Sequence, residues 1–181
     1  LVQLTMPGVA DVYQGCELTG LSLVDPDNRR TVDYQRRQRL LAALDANPDQ
    51  AAFGGGLDAE KLLVTSRALR LRRDHPDWFA DSYTSLAAEG PAAGHAFAFL
   101  RGGHAVTVVT RLPAGLRRRG GWADTALPLP EVHWRDVFTG VRHAGLRPPL
   151  DELTRLLPVA LLIPDRVWET ELQERADGSI R

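Results

Sequence analysis

Cysteine is nearly absent from this chain: its 181 residues include one, Cys16. A single thiol excludes an internal disulfide framework and fits a reducing, cytoplasmic setting. As a small residue between Gly15 and Glu17, Cys16 is expected to be buried and inert. Charge of one sign is also missing. The formal net charge is −1, which removes the bulk attraction that draws proteins to nucleic acid or to anionic membrane. The longest clean apolar run near the C-terminus, Val159 to Ile163, is far too short to span a bilayer. No signal-peptide pattern opens the sequence, and the first residue is Leu1 within the apolar segment LVQLTM, which reads as a cut inside an element. The five histidines show no H-x-x-x-H spacing, and there is no C-x-x-C, so neither a metal site nor a cofactor is expected. Gly54 to Gly56 lack the Gly-Lys-Ser/Thr ending of a phosphate-binding loop and read as a linker.

What the chain does have is 44% hydrophobic content, enough for one good core or two small ones. The fold class expected is α+β, changing texture near residues 79 to 82. Residues 1–80 read as helices around one short strand. Asp33 caps a helix over Tyr34 to Ala46, with Leu40, Leu41 and Leu44 near one face. Asp58 caps a second, which runs to about Arg73 and carries Arg67, Arg70, Arg72 and Arg73 on its solvated side and last turn. Residues 81–165 read as an antiparallel β-domain, a sheet or small sandwich of six to eight strands. Its clearest part is a hairpin, His95 to Leu100 and Ala105 to Thr110, joined across Gly102-Gly103. Trp122 to Leu127, Val132 to Phe138 and Val159 to Ile163 read as further strands, and Arg117 to Arg119 as a solvated loop. Residues 166–181 read as a charged tail or frayed helix.

The chemistry concentrates between Met6 and Arg30. Val9 to Tyr13 reads as a short buried strand between Pro7-Gly8 and Gly15. A polar cluster just beyond such a strand is where α/β barrels place their active-site groups. Tyr13 could stack on a sugar ring or merely pack as an aromatic body, Gln14 is a further candidate for binding sugar, and Glu17 reads as a structural carboxylate bonded to backbone. Further on, DPDNRR is a stiff acidic turn running into two guanidiniums. Asp25 and Asp27 with Arg29 or Arg30 can hold rigid bidentate geometry and still offer lone pairs to sugar hydroxyls. The plainer alternative is that Arg29 or Arg30 only ties the loop to its support.

These strings carry a resemblance. The Tyr13-x-Gly15-x-Glu17 pattern resembles the last barrel-strand region of the α-amylase family. SLVDPDNRR, followed by KLLVTSRALRLRR, AAEGPAA, RLP, GGWADTALPLP and WRDVFTG, resembles the maltooligosyltrehalose synthases over roughly Leu1 to Pro164. The resemblance implies the last strand and helices of a (β/α)8 barrel followed by a C-terminal β-domain. It implies an intramolecular transglucosidase that turns the reducing-end α-1,4 bond of a maltooligosaccharide into an α,α-1,1 bond. The paired carboxylates that such chemistry needs would lie upstream of Leu1, so no catalytic residue is expected here. Tyr13, Gln14, Asp25, Asp27, Arg29 and Arg30 would then only help bind maltooligosaccharide. A complete barrel needs about 200 residues or more, so the missing portion, a partner chain or a second copy would have to cover the exposed apolar faces. The sequence departs from the family at Ala10 and Thr31, where prolines are common, and at Thr19-Gly20, where an aromatic–acidic pair is frequent. A reading of a different class is a free-standing carbohydrate-binding module, presenting Trp122 and Trp134 as an exposed aromatic pair.

Overall fold

The computed structural model describes residues 1–21, 31–47, 55–80 and 82–176. Among the described residues four helices lead: α1 (Val2–Thr5), α2 (Tyr34–Ala46), α3 (Gly56–Asp74) and α4 (Pro76–Ala80). Strands β1 (Tyr83–Leu86), β2 (Ala96–Arg101) and β3 (Ala105–Thr110) follow, then helix α5 (Pro113–Arg118). Next come β4 (His133–Asp136), β5 (Arg142–Ala144), helix α6 (Leu150–Leu153), β6 (Val159–Pro164) and helix α7 (Asp165–Ala176). No helix among the described residues is long and apolar enough to cross a membrane.

The strands form one six-stranded sheet in the order β1-β2-β3-β6-β4-β5, antiparallel at every pairing. The expected hairpin is there, with Ala96 opposite Thr110 and Arg101 opposite Ala105. The last strand lies in the middle, however, with Val106 opposite Leu162 on one side and Asp136 opposite Leu162 on the other. Its run VALLIP is almost wholly buried because both faces of the sheet are covered. Side chains alternate between the faces. Val106, Val108, Ala160, Leu162 and Trp134 meet Leu116, Trp122, Leu127, Leu150 and Leu153 from the connecting segments. Ala105, Leu161 and Ile163 meet Leu4, Leu62, Leu63, Leu71 and Phe79 from the leading helices. The second layer is therefore helical, not a second sheet of a sandwich.

Several expectations are corrected. Residues 9–13 form no strand, because among the described residues no neighbouring strand reaches them. Trp122 to Leu127 is not a strand: Ala126 makes single bridges to Glu89 and Pro149, and Pro128, Pro130 and Pro148 remove donors a longer ladder would need. Arg117 and Arg118 end helix α5, which starts on Pro113, where a missing N–H costs nothing. Asp58 lies in the first turn of α3, three residues beyond the cap position Gly55. Asp33 does cap α2, accepting from the Arg36 N–H at 2.8 Å. Residues 165–176 form a helix. The buried Asp165 pins it, taking Arg135 at 2.8 Å and Arg142 at 2.6 Å and so joining α7 to β4 and β5.

The β2–β3 turn fits under α4 only because it is glycine. Gly102 has φ +52°, and a Cβ there would stand 2.6 Å from the Trp78 Cα. Gly102→Ala combines left-handed strain with a backbone clash, each costing about 1–3 kcal/mol. Urea unfolding is expected to show a loss of roughly 2–6 kcal/mol, the sum of those two effects.

Candidate functional site

The turn from Tyr13 to Glu17 is the organised part of the candidate region. The Cys16 N–H donates to the Tyr13 carbonyl at 2.9 Å, and Gly15 takes φ +89° to close the turn. A Cβ at Gly15 would sit 3.1 Å from Val32 Cγ2, so the turn is seated directly on the start of the α2 segment. Arg37, on α2, then grips it. Its Nε donates to Glu17 Oε2 at 2.8 Å, one Nη to the Gly15 carbonyl at 2.6 Å, and the other to the Asp33 carbonyl at 3.0 Å. Farther along, Lys61 donates to the Leu18 carbonyl at 2.9 Å, and the Thr19 N–H donates to Asp58 Oδ1 at 2.8 Å. Asp58 also takes the Thr19 hydroxyl, and Arg36 at 2.6 Å. Freed from capping, Asp58 thus ties the end of the turn to both helices.

Beside the turn lies an open groove of about 500 Å³, lined mainly by Leu1, Leu4, Val12, Leu57, Val64 and Val159, with Asp11, Tyr13, Glu60 and Lys61 on its walls. Tyr13 is half-exposed here. Gln14 is exposed, and its side-chain oxygen accepts a long 3.4 Å contact from the Tyr34 hydroxyl. Cys16 is exposed rather than buried, since the turn packs on Val32 and Arg37 and leaves its thiol outward. The Glu17 carboxylate is held by Arg37 as well as by backbone. Burial pushes its carboxyl up, while its own backbone N–H and Arg37 outweigh that and leave it below the usual range. Such a group is a poor proton donor at neutral pH. Asp25, Asp27, Arg29 and Arg30 lie outside the described residues.

One carboxyl is shifted the way a general acid's would be. Burial raises Asp136 to about 6, against the opposing pull of donors from Thr139, Phe138 and Leu161. The cavity beside it is only about 10 Å³, too small for a sugar ring. The shift therefore belongs to the sheet and not to a reaction site. No group of three or more His, Cys, Asp or Glu among the described residues could hold a metal ion. Trp122 is 7% exposed and Trp134 fully buried. They present no aromatic platform, so the binding-module reading loses its main support.

The sequence reading missed Arg37, Arg36, Asp58 and Lys61. The available signal was weak: Arg36 and Arg37 stand three and four residues after the cap Asp33, on the helix turn nearest the preceding loop.

No family model matches the chain. It is 46% identical over 166 residues to a Mycobacterium tuberculosis protein named as a maltooligosyl trehalose synthase, covering 91% of this chain and 20% of that protein. The structure of the Arthrobacter ramosus maltooligosyltrehalose synthase matches with TM-score 0.80 and 44% identity, over 90% of this chain and 21% of that one. The resemblance is to one segment of maltooligosyltrehalose synthases. A Sulfolobus tokodaii structure of the same name, 22% identical, matches with TM-score 0.53 over 90% of this chain and 19% of its own, and shares the fold alone. The chain thus spans about one fifth of the length of the synthases it matches. The Arthrobacter likeness covers both the leading helices and the sheet, since it takes in 90% of the chain.

Proposed function

We propose that this chain is the C-terminal part of a maltooligosyltrehalose synthase. In that reading the whole enzyme isomerises the reducing-end α-1,4 bond of a maltooligosaccharide to α,α-1,1 through a glycosyl-enzyme, with both carboxylates supplied from outside this segment. The observation that carries it is the joint match in sequence and fold to one fifth of the Arthrobacter enzyme. Residues 9–13 would be the last barrel strand, α2 and α3 the helices behind it, and residues 81–165 a C-terminal β-domain. Two features support this. Val9 to Val12 stay outside any strand pairing, with Val9 almost fully exposed. The groove beside them is lined mainly by apolar side chains. A strand from the remaining four fifths of such a polypeptide would satisfy that backbone and cover those side chains, as closed barrels require. Tyr13 and Gln14, with Asp25, Asp27, Arg29 and Arg30, would line one end of the sugar cleft.

The test replaces the matching fifth of the Arthrobacter enzyme with this chain and supplies maltopentaose. A non-reducing, trehalose-ended product is expected from the chimera and none from the chain alone. Product from the chain alone would show that the reacting carboxylates lie within it, against the proposal.

A further inference from the structure

We propose that Arg37 is the positioning residue of the sugar-facing turn; this rests on the synthase reading above. The side chain of Arg37 is 16% exposed, and all three of its nitrogens are committed. Two grip the turn, at Glu17 and Gly15, and one grips Asp33, the cap of its own helix. A guanidinium is planar, so these three bonds fix the turn and the helix start in one rigid relation that a flexible ammonium could not reproduce. Among the described residues, Tyr13 and Gln14 have no comparable clamp. The Tyr13 carbonyl is tied to the Cys16 N–H inside the turn, and Gln14 makes a long contact with Tyr34. Both side chains therefore inherit their direction from residues 15 to 17. Val32 beneath Gly15 leaves the turn little room to settle elsewhere once the clamp is made. Neighbouring arginines do other work: Arg36 goes to Asp58, and Arg39 to Gln35 at 3.2 Å on the surface.

If Arg37 acts through Tyr13, its effect is on ligand placement and disappears when Tyr13 is gone. The experiment measures KM and kcat for maltopentaose in the Arthrobacter chimera carrying this chain, with Arg37→Gln, Arg37→Lys, Tyr13→Ala and the Arg37→Gln/Tyr13→Ala double variant. Either Arg37 variant is expected to raise KM about 10-fold with kcat within about 3-fold, a loss of binding and not of chemistry. Arg37→Lys keeps the charge and the helix propensity, so it serves where Arg37→Gln folds poorly. Arg39→Gln is expected to change nothing. Adding Arg37→Gln to Tyr13→Ala is expected to cost no more than Tyr13→Ala alone, which a merely stabilising arginine would not produce. An unchanged KM in both Arg37 variants, or strictly additive losses, overturns the inference and leaves the synthase reading standing. A folded, unsubstituted chimera that makes no trehalose-ended product counts against that reading instead.

Discussion

Asp136→Ala is expected to destabilise the fold by roughly 3–5 kcal/mol, because it strands several buried donors at once. The Asp136 carboxylate accepts from the Phe138 N–H at 3.1 Å, the Thr139 hydroxyl at 2.7 Å and the Leu161 N–H at 3.3 Å. It therefore ties the turn after β4 to the central strand β6. Alanine leaves those groups in a space too small to admit much water. Asp136→Asn separates shape from charge. With the folded carboxyl pushed up to about 6 by burial and an ordinary value of about 3.9, the folded state holds the proton more tightly than the unfolded one. The contribution of Asp136 is thus full below about pH 3.9 and is lost as pH rises through about 6. Roughly two pK units at about 1.36 kcal/mol each give a swing of about 3 kcal/mol. Carboxylates held down by arginine, such as Glu17 and Asp45, act in the opposite sense, their contribution falling as pH drops. The difference between the parent and Asp136→Asn isolates the one group. Urea unfolding between about pH 4 and pH 7 is expected to show the parent losing stability relative to Asp136→Asn as pH rises. Parallel curves would mean that Asp136 does not titrate between folded and unfolded states.

Arg101→Leu is expected to be similarly severe, at roughly 3–5 kcal/mol, since it removes the charged donor that several backbone carbonyls share. Arg101 is 1% exposed at the end of β2. Its partners include the carbonyl of Thr5 at 2.8 Å, that of Ser82 at 3.3 Å and that of Phe79. One side chain thereby joins α1, α4 and the sheet. Leucine fills much of the volume but leaves those carbonyls without their charged donor. The loss should fall first on α1, a helix of four residues that has little stability of its own. Hydrogen exchange is expected to release the α1 amides while β3 and β6 stay protected. Retained α1 protection, with a stability loss under about 1 kcal/mol, would show that apolar contacts alone hold α1 in place.

Local signals explain what could be read from the sequence. The β2–β3 hairpin was legible because alternation and a Gly-Gly turn are both properties of neighbouring residues. Helix α2 was legible from its cap, Asp33. The place of β6 was not: a run buried on both faces announces burial but not its neighbours, so it read as a closing strand. Val9 to Tyr13 has the composition of a strand, yet pairing needs a second strand and none among the described residues reaches it. At the candidate site, Tyr13 and Glu17 were visible through the Tyr-x-Gly-x-Glu string. Arg37 was not, since its bonds to Gly15 and Glu17 cross 22 and 20 residues and exist only once α2 has swung back over the turn. The same holds for Asp58, a cap by its sequence and a tie between helices by its contacts.

The central place of β6 bears on how the molecule is made. A ribosome delivers β1 to β3 and then β4 and β5 well before residues 159–164 emerge, and synthesis proceeds from the N-terminus. Until then the two strand groups have no common seam, and Val106, Val108 and Trp134 wait without the strand that joins them. A message cut short before that point would yield an orphaned three-stranded meander and a lone hairpin rather than a smaller version of the sheet.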